Sequence, residues 1–146
     1  MKNLFIILFI IFSVFNLNSY SRERISSENI LPIIEKADKQ FENEEYHWAL
    51  RYYTEALEKD SSNPKVHLGL GATYFALQDY SLAIEHFEQS LELNPALIES
   101  YYGLSCVYQA LGKTDLALKY YRKALGLDSH GQISSISKVV LSKETF

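Results

Sequence analysis

The chain holds one cysteine among its 146 residues, Cys106, so no internal disulfide can form in any compartment. Cys106 also lies far from the N-terminus, which excludes a lipid-modified cysteine directly behind a signal segment. Basic clusters are missing too. Eighteen acidic and fourteen basic residues give a net charge of −4, a balance that favours solubility and supplies no basic stripe for nucleic acid. His47, His67, His86 and His130 are not spaced as metal ligands: His67 and His86 could meet across adjacent helices, but neither has a Cys or second His one helical turn away. "HLGLGATY" has two glycines but no preceding strand, so it is no phosphate loop. Cys106 has no neighbouring base, and Glu44 and Glu45 read as a solvated turn. These absences predict a chain that is not an enzyme and has no metal, no cofactor and no nucleic-acid partner.

The only long apolar run opens the chain, in "MKNLFIILFIIFSVFNLNSYSRERISS". Lys2 supplies a positive end, Leu4 to Phe15 is apolar apart from Ser13, and Ser19 and Ser21 flank Tyr20. This pattern predicts a secretory signal peptide over 1–21. Extended to Leu17 the run reaches only 14 residues, short of the ~20 that span a bilayer, so an uncleaved anchor is the weaker alternative. Cleavage after Ser21 would remove Lys2 and take the net charge from −4 to −5. With no Asn-X-Ser/Thr acceptor in the chain, the expected location is a bacterial periplasm or cell envelope, with secretion or membrane anchoring as alternatives.

What the chain does contain is a period. Ala49, Ala83 and Ala117 stand 34 apart, as do Tyr53, Phe87 and Tyr121, then Ala56, Ser90 and Ala124, then Leu57, Leu91 and Leu125. In the preceding half-units Leu70 matches Leu104, Gly71 matches Ser105 and Tyr74 matches Tyr108. A small residue, an aromatic four later and a small residue three beyond it share one helix face. Two amphipathic helices per period give antiparallel pairs joined by short turns. The pattern predicts helices over 30–43, 46–59, 64–77, 80–93, 96–111 and 114–127. Asn63–Pro64 and Asn94–Pro95 serve as helix starts. Ile133, Ile136 and Val140 predict a seventh, capping helix over the last open flank.

The arrangement resembles the tetratricopeptide repeat family. The resemblance rests on "LGLGATYFALQDYSLAIEHFEQSLELNP" and "YYGLSCVYQALGKTDLALKYYRKALGLD", with "IIEKADKQFENEEYHWALRYYTEALEKD" weaker in its first half. It implies an all-α fold, a right-handed α-solenoid of antiparallel helix pairs. The organisation expected is a signal peptide (1–21), a polar linker (22–29), three repeats (30–62, 63–95 and 96–128) and a capping helix and tail (129–146). The first unit departs from the family at Ala37 and Gln40, and Glu44 and Gln78 stand where a left-handed glycine is usual; only Gly112 keeps it.

The resemblance further implies a concave channel lined by the first helix of each pair. Its lining would be Leu31, Ile34, Asp38 and Phe41, then Lys65, Leu68, Ala72 and Phe75, then Glu99, Tyr102, Cys106 and Gln109. Apolar side chains of another protein's segment would lie there, anchored on Phe75 and Tyr102. Chaperone-binding members grip a C-terminal carboxylate with cationic and amide side chains. Those places hold Ile34, Asp38, Gly69, Glu99 and Gly103 here, so acidic chaperone tails are not expected to bind. The reading that follows is a non-catalytic adaptor of the cell envelope holding a partner segment in its groove. The alternative is a membrane-anchored structural subunit that docks through its ends or convex face.

Overall fold

The computed structural model describes residues 30–127, and these form six helices with no strand among them. They are α1 (30–42), α2 (Tyr46–Lys59), α3 (Pro64–Ala76), α4 (Tyr80–Leu93), α5 (Ile98–Ala110) and α6 (Thr114–Leu127). The signal segment, the linker and the predicted capping helix lie outside the described residues. Each helix packs on its chain neighbour, and α3 also touches α5, so the pairs stack side by side.

The turn within each pair is built in the same way three times. Glu44, Gln78 and Gly112 take positive φ angles of 63°, 64° and 71°. In each case the next amide reaches back to a carbonyl of the preceding helix: Glu45 N–H to Gln40 (2.9 Å), Asp79 to Tyr74 (2.9 Å) and Lys113 to Tyr108 (2.8 Å). These are left-handed C-caps that satisfy the last helical carbonyls. Glu44 and Gln78 adopt the conformation despite their Cβ atoms, as the departure from the family's glycine required.

Between pairs the two junctions differ. Asn63 caps α3, its side chain accepting from Lys65 N–H at 3.1 Å, with Pro64 as the first helical residue. The expected equivalent at Asn94–Pro95 does not form, and α5 begins at Ile98 rather than at 96. Asn94 Oδ1 accepts from Ala96 N–H (3.1 Å), and the Asn94 carbonyl accepts from Leu97 N–H (3.1 Å). Pro95 and Ala96 thus sit at the centre of a tight turn, where the fixed φ of proline is equally at home. Ile98 stands one full period after Pro64, so the turn restores the register that the prolines break.

Packing follows the small-and-aromatic stripe. Tyr53 and Phe87 are buried, and each fills a notch where the facing residue has no side chain. A Cβ on Gly69 would collide with the Tyr53 ring, and one on Gly71 or Gly103 with the Phe87 ring. Phe87 therefore wedges between α3 of its own pair and α5 of the next. Around these wedges Ile30, Ile34, Ala37, Ala49, Ala56, Val66 and Leu70 form one core, and Ala83, Leu104 and Val107 close a second around Phe87.

Candidate functional site

Seven of the predicted groove residues meet in one concavity of about 270 Å³: Ile34, Asp38, Phe41, Lys65, Leu68, Ala72 and Glu99. They come from α1, α3 and the first turn of α5, the helices that the repeat places on one face. Three further residues complete the wall: Tyr53, Gly69 and Leu97. Tyr53 reads in sequence as a packing aromatic, yet its hydroxyl donates to Asp38 Oδ1 and so reaches the cavity. Burial, and then that carboxylate, push the phenol well above its ordinary value, so Tyr53 stays a neutral donor. Leu97 enters because the Asn94–Pro95 turn sets it ahead of α5. The floor is apolar, and Asp38, Lys65 and Glu99 stand exposed at the rim.

The other candidates lie elsewhere. Tyr102, Cys106 and Gln109 line a separate cavity of about 480 Å³ between α5 and α6, with Ser105, Thr114, Ala117, Leu118 and Tyr121. Phe75 lines neither cavity; it is partly buried, its ring 5.9 Å from that of Tyr80. Leu31 is 56% exposed at the start of α1.

A third concavity, of about 500 Å³, brings His67 and His86 together with Leu57, Ser61, Glu85, Gln89, Glu92 and Leu93. The two Nδ1 atoms are 3.2 Å apart, and His67 Nε2 is 3.1 Å from the Ser61 carbonyl. A carbonyl only accepts, so His67 Nε2 carries a proton, and with His67 neutral it is His86 Nδ1 that donates to His67 Nδ1. The His86 ring stacks on Tyr74 at 5.4 Å. Burial and the neighbouring His67 lower the His86 pKa, against the opposing pull of Glu85 and Gln89. Among the described residues no group of three or more His, Cys, Asp or Glu is placed to hold a metal ion, and no helix is long and apolar enough to cross a membrane.

Stacked antiparallel pairs repeat with a fixed period, with small residues and aromatics interlocked at the crossings and the first helices along one concave face. Residues 63–129 carry tetratricopeptide repeats. A tetratricopeptide repeat family model matches residues 63–129, the second and third pairs. Among solved structures, the first tetratricopeptide domain of human RPAP3 is 26% identical, with a TM-score of 0.66, covering 80% of this chain and 97% of that one. The first such domain of Spaghetti (RPAP3), bound to the HSP90 peptide SRMEEVD, is 25% identical with a TM-score of 0.67, covering 79% and 95%. The type III secretion translocator chaperone SycD of Yersinia enterocolitica shares the fold at 22% identity, with a TM-score of 0.72 and 81% and 90% coverage. No curated protein sequence matches the chain. Tetratricopeptide domains are generally non-catalytic modules for protein interaction, and the Spaghetti (RPAP3) structure is of such a domain with a bound peptide.

Proposed function

We propose that the chain is an adaptor of the cell envelope that holds a segment of another protein against α1, α3 and the start of α5. The observation that carries this reading is the concavity itself: seven residues scattered along the sequence from Ile34 to Glu99 meet around an apolar floor with a charged rim. The chemistry of that rim selects the ligand. Asp38 and Glu99 face one Lys65, so the fitting segment lays apolar side chains on Leu68 and Ala72 and a Lys or Arg between the two carboxylates. Tyr53 fixes Asp38 in place for that contact. Placement in the envelope rests on the sequence of residues 1–21 and is tested by N-terminal sequencing of the protein recovered from the native envelope fraction.

The test of binding is cross-linked recovery of the partner with the parent chain and two variants, Leu68→Asp and Glu99→Lys. Glu99 is exposed, so its variant reports on the rim without disturbing the core. Both variants are expected to lose at least about 90% of the captured partner, with unchanged helical circular dichroism for Glu99→Lys. Capture by both at the parental level would refute the groove as the binding surface.

A further inference from the structure

The contact between His67 and His86 leaves one hydrogen bond unmade. His67 is buried on α3 and His86 half-buried on α4, and their Nδ1 atoms face each other at 3.2 Å. The second nitrogen of each ring, Nε2, is turned away from that contact. His67 Nε2–H is held by the Ser61 carbonyl at 3.1 Å. Gln89 lies within hydrogen-bonding reach of His86, and with Nδ1 committed to His67 the nitrogen left for it is Nε2. Yet Gln89 Oε1 is buried and has no hydrogen-bond partner among the described residues.

The cause is the tautomer. With Nδ1–H donated to His67, His86 Nε2 carries a lone pair, and a lone pair facing a carbonyl oxygen satisfies neither. Turning the amide over does not mend this. Its NH₂ group donates to Glu85 Oε1 at 3.4 Å, and the turned amide would set its carbonyl against that carboxylate. Gln89 Oε1 is satisfied only when His86 carries a proton on Nε2. Two states provide one. The first is the imidazolium, which burial and the neighbouring His67 disfavour. The second is the Nε2–H tautomer, in which two Nδ1 lone pairs face one another and repel unless a cation lies between them.

We propose that this cation is a divalent transition-metal ion of the zinc class, bound by His67 Nδ1 and His86 Nδ1 with water completing its shell. A metal about 2.0–2.1 Å from both nitrogens would see their 3.2 Å separation at an angle of about 100–105°, near the tetrahedral value. Both Nε2–H groups then have acceptors, the Ser61 carbonyl and Gln89 Oε1, the outer-shell arrangement that fixes the tautomer of metal-bound imidazoles. Tyr74, stacked on His86, holds the ring plane. Glu85 and Glu92 line the same cavity of about 500 Å³ and give an entering cation a negative field. The proton balance closes: one N–H bond breaks at His86 Nδ1 and one forms at its Nε2, with no net release. Spacing along the chain predicts no metal site because neither His has a second ligand one helical turn away; here the second ligand comes from the neighbouring helix. The site shares no lining residue with the α1–α3–α5 concavity and does not depend on the partner reading.

Calorimetric titration of Zn²⁺ into the metal-stripped full chain at neutral pH tests the site. One ion per chain is expected to bind, and binding is expected to be lost in His86→Gln, which keeps His47 and His130 as controls for unspecific uptake. Gln89→Leu keeps both ligands and removes only the outer-shell acceptor, so it should weaken binding at least about tenfold. No binding by the parent at millimolar Zn²⁺, or equal affinity in parent and His86→Gln, would overturn the proposal. A second measurement needs no variant. In nitrogen-15 imidazole spectra of the parent, saturating Zn²⁺ should move the His86 proton from Nδ1 to Nε2 and leave that of His67 on Nε2. His86 keeping its Nδ1–H at saturation would place the ion elsewhere and likewise overturn it.

Discussion

At the scale of single residues, the informative feature is a proton count. His67 and His86 share one hydrogen on the line between their Nδ1 atoms, and a second would set two donors face to face at 3.2 Å. Burial and His67 hold the His86 pKa below the ordinary value of about 6.5. The folded state therefore binds fewer protons than the unfolded one below that value. The stabilisation is complete above a pH of about 6.5, and it is lost as pH falls through that value toward the lower pKa of the folded chain. Gln89 Oε1, buried without a hydrogen-bond partner, is placed to accept from a charged His86 and limits the loss. Thermal melts between pH 8 and pH 5 should show a fall in the midpoint that His86→Gln reduces. An identical pH slope in parent and variant would assign the effect to other groups.

At the scale of helices, the two junctions between pairs use different chemistry at equivalent places. Ala56 and Val66 pack as an apolar pair between α2 and α3, whereas their counterparts one repeat later, Ser90 and Ser100, are both fully buried between α4 and α5. Ser90 Oγ donates to the Phe87 carbonyl at 2.7 Å, so Ser100 Oγ is the donor in the bond between the hydroxyls. Ser90→Ala alone strands the Ser100 hydroxyl and is expected to cost about 1–3 kcal/mol. Ser90→Ala with Ser100→Val copies the first junction and is expected to recover most of that loss, because no polar group is then left unpaired. Urea denaturation of the parent, both single variants and the double variant measures the coupling; strict additivity would disprove it.

The same contrast explains how much could be read from sequence. The period exposed the stripe of small residues and aromatics, and with it every described helix to within a residue or two at each end. The resemblance to the tetratricopeptide family, which implies a channel lined by the first helices, named seven residues that the structure brings together. Two things lay beyond it. Asn94–Pro95 carries the same residues as Asn63–Pro64, and only the distance to the next in-phase residue decides whether the proline opens a helix or a turn. Tyr53 and Phe87 hold one phase, and the hydroxyl that separates them matters only because Asp38 lies within its reach.

Across the whole molecule the charge changes sign. Residues 30–60 hold Glu35, Asp38, Glu42, Glu44, Glu45, Glu55, Glu58 and Asp60 against Lys36, Lys39, Arg51 and Lys59. Residues 98–127 hold only Glu99 and Asp115 against Lys113, Lys119, Arg122 and Lys123. The concavity takes Ile34, Asp38, Phe41 and Tyr53 from the acidic part, and Asp38 and Glu99 stand exposed on its rim. A ligand rich in carboxylates must bring its charges into that field, where repulsion rather than contact geometry decides the outcome. The peptide SRMEEVD, held by the Spaghetti (RPAP3) domain, is therefore expected to bind this chain more weakly than about 1 mM. Calorimetry with the full chain checks this, and a micromolar affinity would show that the rim does not select by charge. Repeating the titration with Asp38→Lys and Glu99→Lys combined should bring binding into the measurable range. Added salt should then weaken it, since the gain is electrostatic at an exposed rim.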